Sequence, residues 1–158
     1  MGDIIERDVL RALPGQESFA RDIEIIWNCR LVVDIRVKDG IEREDSYQPL
    51  DYIITEKHSN KVVGYMELKN RNISSDKYDT LMLDHSKLMS IRKTAFFTKL
   101  PVFVGVRYTN KDLYYKYSDL DPISICYGGR TAQKRNEYDI KQVEYIKVNQ
   151  FNEFRKRN

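Results

Sequence analysis

Apolar and polar positions along the chain fall into two periods, one near 3.6 residues and one of two. Over residues 17–27, ESFARDIEIIW, Phe19, Ala20, Ile23, Ile26 and Trp27 lie on one helical stripe, and Pro14-Gly15 marks the chain just before it. LVVDIRV then predicts a first strand, followed by the polar stretch KDGIEREDSYQ. LDYIITE and VVGYMELKN predict two further strands, joined by a hairpin at His58-Ser59-Asn60-Lys61. After a polar loop, Asp84 is placed to N-cap a helix over about His85 to Lys99, with Leu88, Ile91 and Ala95 on one face. Pro101 ends that helix and opens the apolar strand PVFVGVRY, which Asn110-Lys111-Asp112 turns into LYYKYS. The order helix, three strands, helix, strand, with a β-rich C-terminal extension, predicts an α/β sandwich around a mixed central sheet.

Nothing in the 158 residues suggests a repeat, a low-complexity tract or a linker, so one domain over 1–158 is expected. No apolar run approaches the roughly 20 residues needed to span a bilayer, and no membrane partner is expected. The N-terminus MGDIIERDVL has early acids and no apolar core, unlike a secretory signal. Glu6 stands where a myristoylation motif wants Ser or Thr. Cys29 and Cys126 have no metal-ligand spacing and fit reduced thiols of an intracellular protein, with a single disulfide left open.

Charge changes the picture more than composition does. Residues 1–60 hold 13 acids and 8 bases (−5) and residues 61–158 hold 11 acids and 19 bases (+8), giving the net +3. An acidic first part beside a basic second part suits carboxylates that hold metal and cations that hold a polyanion. On charge alone, plain solvation of the surface is the commoner explanation.

The segment that carries chemistry is Pro49-Leu50-Asp51, then fifteen residues, then Glu67-Leu68-Lys69. Two strands joined by a short hairpin would set Asp51 beside Glu67. Glu67 and Lys69, two apart on a strand, project to the same face. Adjacent carboxylates amid apolar neighbours repel and are costly to desolvate, and a Mg²⁺ ion with oxygen ligands removes that repulsion. Such a metal lowers the pKa of its water and polarises a phosphoryl oxygen. A lysine ammonium next to it can orient the nucleophile and offset charge in the transition state. The reaction so assembled is phosphodiester hydrolysis. Taken alone, Glu-x-Lys on a strand is more often a same-face ion pair.

On these residues the chain resembles the PD-(D/E)XK nuclease superfamily, with Leu50 separating the proline from the acid. A closer likeness is to short phage and bacterial members of that superfamily. It rests on Glu17-Ser18-Phe19-Ala20 in the first helix, Glu67-Leu68-Lys69-Asn70-Arg71 in the third strand, Tyr78, Lys87 and Gly128-Gly129-Arg130. The resemblance implies a restriction-endonuclease-like core and a metal-dependent deoxyribonuclease, endo- or exo-acting. Asp51, Glu67 and Lys69 would be catalytic, and Asp51, Glu67, Glu17 and Leu68 would hold Mg²⁺, with Mn²⁺ as its substitute. Glu24 is a second candidate for the helix-one acid. Arg71, Lys87, Tyr78, Gly128, Gly129, Arg130 and Arg135 would contact nucleic acid, DNA rather than RNA. A phage-encoded protein acting in a bacterial cytoplasm is implied, and a homodimer is left open.

Each of these residues has a plainer alternative. Glu17 could complement the helix dipole. Arg71 and Lys87 could be solvated charges, and the glycine pair a turn. His58 fits an exposed turn residue and His85 a helix-terminal one. The eleven tyrosines could stack nucleobases, although strand packing accounts for most of them. The alternative from another class is a nucleic-acid-binding or structural module that keeps the fold without the chemistry.

Overall fold

The computed structural model describes the backbone of residues 2–33, 50–118, 124–129 and 140–157, and the side chains of 15–33, 50–118 and 143–157. In chain order the elements are α1 (Gly2–Trp27), β1 (Cys29–Val33), β2 (Tyr52–Glu56), β3 (Val62–Asn70), β4 (Thr80–Asp84), α2 (His85–Thr98), β5 (Val102–Arg107), β6 (Lys111–Lys116), β7 (Ser124–Gly129), β8 (Ile140–Lys147), a 3₁₀ turn (Val148–Gln150) and β9 (Asn152–Lys156). The six-stranded sheet runs β1-β2-β3-β5-β6-β9 and the three-stranded sheet β4-β8-β7. Among the described residues only β3 and β5 pair in parallel, and the other pairs are antiparallel. This is a restriction-endonuclease-like α/β fold.

The pleat of β3 explains the layering. Met66 and Leu68 point to one face, where α1 brings Phe19, Ala20 and Ile23 against Leu31 and Ile54. Tyr65, Glu67 and Lys69 point to the other. There α2 (Leu88, Ile91) and the small sheet (Leu81, Leu83, Ile146) close over Val102, Val104 and Val106. Each fully buried side chain of this kind contributes about 1.5–3 kcal/mol. Gly105 is needed for the fit, because a Cβ there would lie 2.7 Å from a Leu68 methyl and 3.4 Å from the Phe19 ring.

Several expectations need correction. The first helix does not begin after Pro14-Gly15 but runs through them from Gly2. Apolar residues at Ile5, Val9 and Leu13 keep the helical spacing upstream, and one proline removes only one internal hydrogen bond. It ends at Asn28, whose φ of 50° is the left-handed turn an asparagine tolerates. Ile26, expected on the buried stripe, is exposed. The stretch expected to be a polar loop contains β4, in which Leu81 and Leu83 alternate inward over only five residues. Asp84 does stand at the N-cap of α2 with an extended backbone, but its side chain makes no cap hydrogen bond. The hairpin falls where expected, closed by Glu56 N–H donating to Lys61 O at 2.9 Å. Gly128 and Gly129 do not form a turn; they pair in β7 with Lys141 and Ile140. Arg130 and Arg135 lie outside the described residues.

Candidate active site

The β2–β3 register sets Tyr52 opposite Met66, so Asp51, one residue before β2, faces Glu67. The two segments are tied reciprocally. The Leu68 N–H donates to Asp51 Oδ2 at 2.9 Å, and the Asp51 N–H donates to Glu67 Oε2 at 3.3 Å. Glu67 is almost completely buried, with 2% of its surface exposed. An ionised carboxylate at that depth needs cations, and two supply them: Lys69 Nζ stands 3.3 Å from Oε1 and Lys87 Nζ 3.2 Å from Oε2.

The charges act on one another strongly. Asp51 is pushed up to about 7, first by burial and then by the Glu67 carboxylate, against the opposing pull of Lys87, the Leu68 N–H and Lys69. Burial alone would lower the Lys87 ammonium. Glu67 and Asp51 outweigh it and hold the group above its ordinary value, so Lys87 stays charged at neutral pH.

Lys87, which the sequence suggested as a phosphate contact flanking the metal site, stands against Glu67 within the centre itself. A signal for this was present. Lys87 precedes Ile91 and Thr94 at helical spacing, and both of those are buried, so the lysine sits on an inward stripe.

Glu17 is not brought into this group. Its side chain is largely exposed and lies 3.8 Å from Arg21. Its charge still reaches Tyr52, whose hydroxyl is raised by burial first and then by Asp51 and Glu17. Glu24 accepts from the Leu31 N–H at 3.1 Å and pairs with Arg21, tying α1 to β1. The neighbour of Glu17, Gln16, donates from Nε2 to the Leu68 carbonyl at 3.4 Å. Arg71 continues the inward row of Glu67 and Lys69 and reaches the Met82 carbonyl at 3.4 Å. Tyr78 is exposed beside the same strand, β4, with the Lys77 ammonium 5.5 Å from its ring centre.

Another polar cluster was not anticipated. Glu144, fully buried in β8, holds His85 Nδ1 at 3.0 Å and Arg92 at 3.3 Å. Over residues 143–146 both faces of β8 are covered, so alternation could not single this glutamate out; Val143 and Ile146 beside it are equally buried.

The donor set fits a hard divalent cation. Asp51 and Glu67 offer adjacent carboxylate oxygens, Leu68 offers a carbonyl, and the repulsion by Glu67 that, after burial, raises the Asp51 carboxyl is what a bound cation would relieve. Among the described residues, no three His, Cys, Asp or Glu side chains gather as a metal-holding group. Few protein ligands is the way Mg²⁺ binds, since it keeps several waters.

Helix, sheet and helix, with an acid leading β2 and Glu-x-Lys on β3, is the layout of the restriction-endonuclease-like class. The model of the family described as "Phage putative PDDEXK endonuclease" matches residues 17–154, and the chain belongs to that family. It is thus a nuclease at the level of family, with nucleic acid as its class of substrate, in a superfamily that generally uses divalent metals. No curated protein and no solved structure matches the chain. Among the described residues, no helix is long and apolar enough to cross a membrane.

Proposed function

We propose that the chain is a single-domain, Mg²⁺-dependent nuclease that hydrolyses DNA phosphodiester bonds at the Asp51–Glu67–Lys69 centre. The observation that carries this is the convergence of Asp51, Lys69 and Lys87 on one buried carboxylate, Glu67.

Asp51, Glu67 and the Leu68 carbonyl are the groups that would hold the ion, with Mn²⁺ as the expected substitute. Bound there, a divalent cation supplies Lewis acidity toward the scissile phosphate and its attacking water. Lys69, partly exposed, orients that water and places positive charge against the phosphoryl oxygens as negative charge builds on them. Lys87, mostly buried and charged, fixes the rotamer of Glu67. Glu17 faces solvent and Arg21, and we leave it out of the ligand set. Arg71 and Tyr78 flank the centre as nucleic-acid contacts. The setting consistent with the family is a phage-encoded enzyme acting in the host cytoplasm.

The test is incubation of the protein with labelled linear duplex, single-stranded and four-way-junction DNA in Mg²⁺, Mn²⁺ or EDTA, beside Lys69→Ala. Cutting that needs metal and is lost in the variant is the expected result. Binding without cutting by either protein would replace the enzyme reading with a binding module.

A further inference from the structure

The row Glu67, Lys69, Arg71 leads out of the buried centre into a cleft of about 440 Å³, within the range of small-ligand sites. It lies where the large sheet meets the small one. Arg71 and Tyr108, which follow the parallel strands β3 and β5, form one wall, and Met82 and Tyr145, paired across β4 and β8, form the other. The carboxyl ends of parallel strands are where α/β sheets place ligands. Ile73, Leu81, Thr80 and Tyr78 complete the lining.

The chemistry of this lining is selective. Three tyrosines and two large aliphatic side chains offer flat apolar surface, and Arg71 offers a cation; none of the described lining residues is acidic. Burial pushes the Tyr108 phenol up, so it presents a neutral hydroxyl. Arg71 engages one donor of its guanidinium fork, at long range, with the Met82 carbonyl. The exposed Tyr78 ring stands at the mouth with Lys77 over it. Rings for stacking beside a fork for a phosphate match one unit, a nucleotide whose base lies out of the duplex stack. The Cα of Arg71 lies about 6.6 Å beyond that of Lys69 along the extended chain, roughly one nucleotide step from the reaction centre.

We propose that this cleft receives an unpaired nucleobase next to the scissile phosphate, stacked against Tyr78 with its phosphate on Arg71. The preferred substrate is then DNA with unpaired nucleotides at the cut: an overhang, a flap or a single strand. This rests on the nuclease reading for its position but not for its binding. A base held in a duplex cannot enter the cleft without unstacking, whereas an unpaired one enters at little cost.

The experiment reads binding without turnover, in Ca²⁺ and in EDTA. The probe is a duplex carrying 2-aminopurine in a single-stranded overhang, compared with the same base inside a blunt duplex. The wild-type protein is expected to quench the overhang probe. Tyr78→Ala, at an exposed position where the fold is not at stake, loses the quenching and weakens overhang binding at least about fivefold. Its affinity for the blunt duplex falls by clearly less than its affinity for the overhang, and Tyr78→Trp restores quenching. No quenching by wild type, equal quenching by Tyr78→Ala, or an equal affinity loss on blunt duplex would each overturn the proposal. If wild type quenches as expected yet cuts no DNA in Mg²⁺, the catalytic reading fails and the pocket stands.

Discussion

In the metal-free protein the Asp51 carboxyl, raised to about 7 by burial and by Glu67, gives the centre a pH dependence of definite sign. An acid raised on folding favours the native state below its ordinary value of 3.8, and that contribution fades as pH climbs toward 7. Denaturation of the metal-free protein followed from pH 4 to 8 should show this decline, and Asp51→Asn should flatten it; an unchanged profile in the variant would refute the assignment. A cation must displace the Asp51 proton below pH 7, so Mg²⁺ binding followed by calorimetry should release protons at pH 6 and far fewer at pH 8. A second residue-scale consequence concerns packing. Gly105→Ala drives a methyl into Leu68 and Phe19, both wholly buried, and should destabilise the fold by about 1–3 kcal/mol in urea denaturation. Wild-type stability in that variant would mean that the two side chains can give way.

Between elements, the tie that the sequence conceals is a network of four charges from α1, β5, β6 and β9. Asp112, fully buried, accepts from Arg107 Nε at 3.0 Å and from Arg155 Nε at 3.1 Å, and Asp22 bridges both arginines. Arg107 also lies 4.6 Å over the Phe19 ring, so one guanidinium joins the helix to the sheet. Removing the acid from such a network strands buried positive charge. Asp112→Ala should therefore cost about 1–3 kcal/mol of stability, Asp22 still pairing both arginines, while the candidate centre, on the other face of the sheet, keeps its geometry. Burial opposes the ionised Asp22, but its arginines prevail and hold it below the usual carboxylate range, so this tie weakens only in strong acid.

The contrast between this network and the active site shows what a sequence discloses. Asp51, Glu67 and Lys69 share one hairpin, so strand period and turn position sufficed to set them side by side. Lys87 arrives through β4 and α2, and its lining role needed the knowledge that its stripe faces inward. Asp22 and Arg155 lie 133 residues apart and meet only because β9 returns to the edge of β6. The β4 strand was missed because five residues give alternation little length to register, and the N-terminal half of α1 because Pro14-Gly15 looks like a stop signal.

At the scale of the whole molecule, the acidic first part holds Asp51 and the basic second part holds Glu67, Lys69, Arg71 and Lys87, so the proposed centre joins a carboxylate of each part to cations of the second. DNA affinity should fall with salt, the log–log slope losing about 0.7–0.9 for each phosphate contact removed, as in Arg71→Gln. Saturating Mg²⁺ should raise the melting temperature, since a ligand at a hundred times its Kd adds about 2.7 kcal/mol to the native state. The most direct measurement of the central claim is the single-turnover rate of cleavage of labelled overhang DNA as Mg²⁺ is titrated. Wild type, Lys69→Ala and Asp51→Asn would be compared, all confirmed folded. The account predicts a rate that saturates with Mg²⁺ in wild type, vanishes in EDTA, and falls at least about a hundredfold in both variants. Cleavage that persists in EDTA, or that survives the loss of Lys69 and Asp51, would contradict it.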